Sequence, residues 1–238
     1  MLAAPEPSVA LEPPAMAGYE TGMTSDRLLI EDAAHRAIPS IAVGMTGTRR
    51  YAHGADIFEA LRHLTGATAD MVLTMRRPCD CAIAVLDDAA SPGSTASPGS
   101  TAGPGIDDIG SFHHRRNGTA QRHRLRPLPD RPIPARIPFD EATLIEGARM
   151  EAMGARLPAG AMGMPIVRRA VALSVALLKR DEPDTFWLLA EIACTRSPPA
   201  GAAVEIALAG HAGPFRKVAM AADGAPFGRL LLAQERPC

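Results

Sequence analysis

The chain has 238 residues, 47% hydrophobic but only 4% aromatic, with a formal net charge of −1. That length holds one large domain or two small ones, and the near-zero charge argues against a general nucleic-acid-binding character. Four cysteines, at 79, 81, 194 and 238, are too few and too irregular for a disulfide framework. The opening MLAAPEPSVALEPPAMAG has no basic region and so does not read as a signal peptide. No uninterrupted apolar run reaches about 18 residues, so no membrane span is expected and a cytoplasmic location is.

Residues 1–24 read as a loose arm rich in Pro, Ala and Glu. Residues 25–88 form a first half. RLLIEDAAHRA reads as a helix closed by Pro39, SIAVGMT as a strand over 40–46, and Thr48–Ala52 as a second strand. DIFEALRHLTG reads as a helix starting at Asp56, with Asp56 and Glu59 at capping-box spacing and Gly66 as the closing glycine. Met71–Met75 and Cys81–Leu86 read as strands around an Arg-Arg-Pro-Cys-Asp turn. Cys79 and Cys81 lack the second pair a zinc site needs and read as small strand residues, so no metal is expected.

Residues 89–126 read as a low-complexity linker followed by a basic loop, dividing the two halves. Arg115, Arg116, Arg122 and Arg124 lie in that loop with His113, His114 and His123. Either the loop is simply solvated, or its arginine forks bind phosphate. Base stacking is not expected, because no aromatics interleave the charges.

Residues 127–238 form the second half, entered through the proline-studded stretch 127–138. The stretch FDEATLIEGARMEAMG is the centre of this reading: a helix over 139–154 capped by Asp140, apolar at Leu144, Ile145, Ala148, Ala152 and Met153. Gly147 in its middle implies a close neighbour. From Ile166 the chain reads as a strand meander, although the spacing over Val167–Leu178 also permits a helix. The charged turn at 179–184 favours strands there.

The two helices overlay weakly. Glu59 precedes Arg62 and Glu146 precedes Arg149 by the same spacing, and an Arg-Arg pair follows each, at Arg76-Arg77 and Arg168-Arg169. Duplication of one α+β unit is one reading and chance similarity of two amphipathic helices the other.

With these residues on the page, LIEGARMEAMG resembles the central helix of hotdog-fold proteins that handle acyl thioesters. More closely it is similar to the A-factor biosynthesis hotdog family, which carries two hotdog repeats and a Glu-Ala-x-Arg pattern. Here Glu146, Gly147 and Arg149 match that pattern, with Glu59, Ala60 and Arg62 in the first half, and Ala34-His35-Arg36 resembles the family's N-terminal element. The resemblance implies an α+β fold: a helix wrapped by a curved antiparallel sheet, duplicated as a double hotdog.

It also implies a bacterial acyltransferase of signal or secondary-metabolite biosynthesis, acting on a β-ketoacyl carrier thioester and a small phosphorylated alcohol. Partners would be acyl-ACP or acyl-CoA, with no bound cofactor, the site being completed by one chain or by a homodimer. Glu146, Glu59 and Arg149 would be catalytic; Arg115, Arg116, Arg122 and Arg124 would meet the phosphopantetheine. The histidine that dehydratases of this fold place before the glutamate is missing, since Pro132 and Met45 stand at the matching positions. Without an imidazole, acid–base dehydration has no proton carrier. Glu146 is either a buried base or a surface partner of Arg149, and Glu59 with Arg62 has the same two readings. His35 reads as structural. Three functions follow: an acyl-transferring enzyme, a non-catalytic module that binds an acyl ligand or a partner, or an α+β domain with no thioester connection.

Overall fold

The structure is a computed structural model that describes residues 38–47, 49–88, 107–133, 136–137, 140, 142–160 and 165–235. The N-terminal arm, the helix expected over RLLIEDAAHRA, His35 and the Ser-Pro-Gly-Thr repeat lie outside the described residues.

In chain order the elements are β1 (Ser40–Ile41), β2 (Met45–Thr46), α1 (Gly54–Thr65), β3 (Ala69–Met75), β4 (Cys81–Asp87), β5 (Gly110–Arg116), β6 (Thr119–Pro132) and β7 (Arg136–Ile137). They continue with α2 (Ala142–Ile145), β8 (Arg149–Met150), β9 (Gly154–Leu157), α3 (Ile166–Asp181), β10 (Phe186–Arg196), β11 (Val204–Ala212), β12 (Phe215–Ala222) and β13 (Ala225–Glu235). Eleven strands make one sheet in the order β1-β4-β6-β5-β3-β10-β13-β12-β11-β9-β8, while β2 and β7 form a separate parallel pair. Every pairing in the large sheet is antiparallel. A large antiparallel sheet with two long helices fits a hotdog fold.

The helix α1 forms where expected, but its cap differs. His53, not Asp56, is the N-cap: its Nδ1 accepts the N–H of Ala55 at 3.2 Å. Gly66 closes the helix at φ 65°, where its N–H reaches back to the carbonyls of Arg62 and His63. Ile57, Phe58 and Leu61 are fully buried, and Arg62 and His63 in the last turn complement the dipole.

Two expectations about the second half change places. The stretch 139–154 is not a helix. Asp140 does accept the N–H of Ala142 at 2.9 Å, but α2 spans only four residues. Gly147 then takes φ 77°, a left-handed conformation that ends the helix. No atom lies within 4 Å of where its Cβ would be, so close packing is not the reason for the glycine.

Conversely, 166–181 is a sixteen-residue helix rather than strand and charged turn. Val167, Ala170, Val171, Leu173, Ser174, Leu177 and Leu178 are all buried. A helix apolar on most of its circumference satisfies the strand alternation as well as the helical one, so period alone does not separate the two. Its length, and the absence of Gly or Pro between Pro165 and Pro183, do.

The basic stretch beyond the linker also departs from the expected loop. From Gly110 it is the hairpin β5–β6, turning at Asn117 and Gly118, both at positive φ. This hairpin pairs with β3 and β4 on the α1 side of the sheet.

The two halves join where β3 runs against β10, with Leu73 opposite Ile192 and Met71 opposite Cys194. One contiguous apolar core runs through both halves, from Phe58, Phe112 and Leu125 to Leu173, Phe227 and Leu230. Across the seam Asp56 Oδ1 of α1 accepts from Arg168 Nη1 of α3 at 2.9 Å, and each is the third residue of its helix. No helix among the described residues is long and apolar enough to cross a membrane.

Gly228 of β13 lies so close to β10 that an added Cβ would run into the carbonyl oxygen of Ala193. Overpacking against backbone cannot be relieved by a rotamer change, so Gly228→Ala should lose about 2 kcal/mol or more. Urea unfolding of the two proteins measures the difference.

Candidate functional site

Two cavities open at opposite ends of the β3·β10 seam, and both halves contribute to each. The first, of about 100 Å³, is bounded by Tyr51, His53 and Gly54 ahead of α1, by Val171 and Val175 of α3, by Met75, Arg76 and Arg77 after β3, and by Trp187 and Leu189 of β10. The second, of about 310 Å³, is bounded by Gly160 and Pro165 ahead of α3, by Phe58, Glu59, Arg62 and His63 of α1, by Met71, and by Cys194, Ser197 and Gly201. Each is therefore built from the segment preceding one helix and the face of the other.

The larger cavity carries a carboxylate. Glu59 Oε2 accepts from Arg62 Nε at 2.7 Å, and both side chains are partly buried. Facing it is the N-terminal end of α3, where Pro165 provides no capping side chain. The first-turn N–H groups therefore have no intrahelical acceptor and no side-chain cap. Behind that end, Arg169 is 1% exposed: its Nη1 donates to the carbonyl of Ala202 at 3.0 Å and its Nη2 to that of Pro158 at 2.8 Å. No carboxylate among the described residues pairs with it, and burial lowers its pKa from the ordinary value. Ser197 Oγ at the same cavity has no hydrogen-bond partner. Burial, and secondarily Glu59, push the Cys194 thiol up to about 12, so it stays protonated and is not a nucleophile.

The smaller cavity carries an imidazole in place of a carboxylate. His53 is 7% exposed. Burial first, then the neighbouring Arg49 and Arg168 guanidiniums, hold its pKa well below 6.5, so the ring is neutral. Counted from the helix caps, Glu59 stands six residues after His53 and Val171 six after Pro165. One cavity thus has the imidazole with valine opposite, and the other has the carboxylate with proline. The larger cavity also holds the His63 imidazole, on the same helix as Glu59 and with its Nε2 3.4 Å from Arg62 Nη2, while proline stands at the position His53 takes in the smaller one.

Of the remaining residues singled out from sequence, Glu146 is exposed in the turn after α2 and Arg149 is exposed on β8. Neither bounds these cavities, and no ion pair joins them. They are not structural counterparts of Glu59 and Arg62, because one pair is on a twelve-residue helix and the other is not. Nor does the Arg168-Arg169 pair precede a strand; it belongs to the first turn of α3.

Three of the four basic-loop arginines lie beside carboxylates and the fourth bonds a backbone carbonyl. Arg115 lies 3.7 Å from Asp70, Arg122 lies 3.2 Å from Asp88, Arg124 lies 3.8 Å from Asp88 and 3.6 Å from Asp108, and Arg116 donates to the carbonyl of Thr65. They sit on strands beside a shallow depression rather than at the cavities. There His114 Nε2 and His123 Nε2 share a proton across 3.1 Å, and His123 Nδ1 lies 2.8 Å from Asp87 Oδ1, off the line of a good hydrogen bond. Cys79 and Cys81 place their sulfurs 3.6 Å apart at the head of β4, and burial raises Cys79 to about 12. Among the described residues no cluster of three or more His, Cys, Asp or Glu could hold a metal.

Of the residues at or beside these cavities, sequence reasoning singled out Glu59 as a candidate and passed over His53, Arg169 and Trp187. A histidine ahead of a periodic run is a weak cap signal, and the Arg168-Arg169 pair stood out only as part of a repeat.

No family model matches the chain, and no curated protein does. Solved structures similar to it include the pyran synthase domain from module nine of the sorangicin pathway, at 13% identity over 88% of this chain and 98% of that one, TM-score 0.46. Others are the tesB protein of Mycobacterium avium subs paratuberculosis, at 11% identity over 85% and 95%, TM-score 0.42, and the dehydratase domain of RzxB from Pseudomonas fluorescens, at 14% over 84% and 94%, TM-score 0.38. Likeness this distant carries no argument about chemistry.

Burial makes the folded-state pKa of His53, His113 and His114 lower than 6.5. Groups with depressed histidine pKa values bind fewer protons folded than unfolded, so their stabilisation is complete above the unfolded value and is lost as pH falls below it. The urea midpoint should drop between about pH 7.5 and about pH 5.5, and less steeply in His53→Asn, which keeps a capping side chain without the titrating ring.

Proposed function

We propose that the chain handles an acyl thioester in the cavity where Glu59 faces the N-terminal end of α3. The observation that carries this is a partly buried carboxylate in a cleft of about 310 Å³ that the N-terminal end of α3, with no side-chain cap from Pro165, also lines. A thioester carbonyl placed between them has a base on one side and donors for its oxygen on the other.

In the reaction we infer, Glu59 takes a proton from the attacking oxygen as it adds to the carbonyl carbon. The charge that develops on the carbonyl oxygen falls on the first-turn N–H groups of α3. Collapse of the tetrahedral species breaks the C–S bond, and the thiolate leaves with the proton returned by Glu59. Arg62 orients the carboxylate through its bond to Oε2. If the attacking oxygen belongs to water the protein is a thioesterase; if it belongs to an alcohol it is the acyltransferase that the A-factor resemblance implies. Acyl-CoA or acyl-ACP would be the donor. We read the chain as two related units, α1 with β3–β6 and α3 with β10–β13, because each cavity pairs the approach to one helix with the face of the other.

One observation favours the non-catalytic alternative. The Arg62 guanidinium already occupies Glu59, and no histidine imidazole shares that cavity with it apart from His63 one residue on from Arg62. On that reading the cavity binds an acyl group without cleaving it.

Incubation with short acyl-CoA substrates, following thiol release and separating free acid from ester product, distinguishes the readings. Glu59→Gln should lower kcat by about 100-fold or more, the range lost with a general base. Undiminished turnover in Glu59→Gln removes this residue from the mechanism, and saturable binding of acyl-CoA without any turnover establishes the non-catalytic module.

A further inference from the structure

The Glu59 cavity is edged by positive charge that the chemistry above does not use. We infer that this rim binds a phosphate ester on the thiol side of the substrate, and that Arg116 and Arg196 hold it. That the phosphate sits on a thiol arm rests on the thioester reading of the cavity; that the rim takes an anion does not.

Three elements place the cations. Arg62 and His63, in the last turn of α1, bound the cavity themselves. Arg116, at the end of β5, is exposed, and its Nη1 donates at 3.1 Å to the carbonyl of Thr65, the last residue of α1. Arg196 is the last residue of β10 and is exposed as well. It stands two residues beyond Cys194, so both side chains leave the same face of the strand. Cys194 bounds the cavity, and so does Ser197 next in the chain, which puts this arginine at the cavity's edge.

The charges there do not cancel. Arg62 is bonded to Glu59 at 2.7 Å, and Arg115 lies 3.7 Å from Asp70. Among the described residues neither Arg116 nor Arg196 has a carboxylate partner. Both are exposed, so an anion meeting them keeps part of its water and no charge is buried. Guanidinium forks match the several oxygens of a phosphate. Thr65 lies six residues beyond Glu59, about 9 Å along the helix, so a phosphate at Arg116 is joined to the reacting carbonyl by an arm.

S-butylpantetheine and its terminal phosphate ester are thioethers that cannot be cleaved, and they differ only in that group. Calorimetry on the full-length protein should find the phosphate ester bound about tenfold more tightly at low salt, with the margin narrowing as salt rises. Arg196→Ala should remove most of that margin and leave S-butylpantetheine unaffected. Arg196→Lys, which keeps the charge without the fork, should retain part of it. Arg116→Ala combined with Arg196→Ala should erase it. S-butyl-CoA identifies the source: tighter binding than the phosphate ester supports the inference with a nucleotide-bearing thiol, and equal binding supports it with a carrier protein's prosthetic arm. The inference is overturned if the two thioethers bind equally, if neither binds, or if the double variant keeps the full margin while folded by circular dichroism. Butyryl thioesters that bind without turnover would remove the catalysis proposed for Glu59 and leave the phosphate margin to be read as before.

Discussion

The antiparallel pairing of β3 with β10 is the constraint on which the molecule depends. Among the described residues it is the only ladder that joins the α1 half of the large sheet to the α3 half, and it runs through buried Met71, Leu73, Ile192 and Cys194. A shift of one residue would turn these side chains to the other face of the sheet. The same pairing brings the N-terminal turns of the two helices together, where Asp56 and Arg168 meet. A buried ion pair of this sort adds little net stability, but loss of one partner is expensive, so it fixes how the helices lie against each other more than it strengthens the fold. Both cavities inherit their shape from that register, since each takes one wall from either side of the seam.

Equivalence of place has not meant equivalence of content. His53 and Glu59 stand near the start and in the middle of the same helix, so they face different cavities and never act on one ligand together. The chemistry open to each cavity follows from what stands opposite. A carboxylate with free backbone N–H groups can manage charge moving on and off a carbonyl oxygen. A neutral imidazole beside an indole in an apolar recess can hold an acceptor but has no second proton carrier to turn it over.

Much of the architecture was legible in the chain, and the failures share a cause. The strands from Ala69 to Asp87 and from Phe186 onward show themselves by alternation bounded by glycine and proline turns. The helix at Gly54–Thr65 shows itself by period and by Gly66. What misled was the neighbourhood of 140–181. There the amphipathic, helix-like segment is broken by Gly147, and the true helix is apolar on so much of its surface that strand and helix periods both fit. Burial on most sides blurs the period, and what separates helix from strand there is the uninterrupted length between Pro165 and Pro183. For the site, Glu59 could be marked as a carboxylate on an apolar helix. Its opposing partner could not, because backbone N–H groups have no letter in the sequence.

Arg169 gives the Glu59 cavity a property that no mobile side chain could. Its guanidinium is clasped between the carbonyls of Pro158 and Ala202, one on each side of the entrance to α3, and no acid cancels its charge. The carbonyls fix where that positive charge sits, and the dry surroundings leave its field less screened than it would be in water. Negative charge arising at the mouth of α3 would meet a positive charge already held in position.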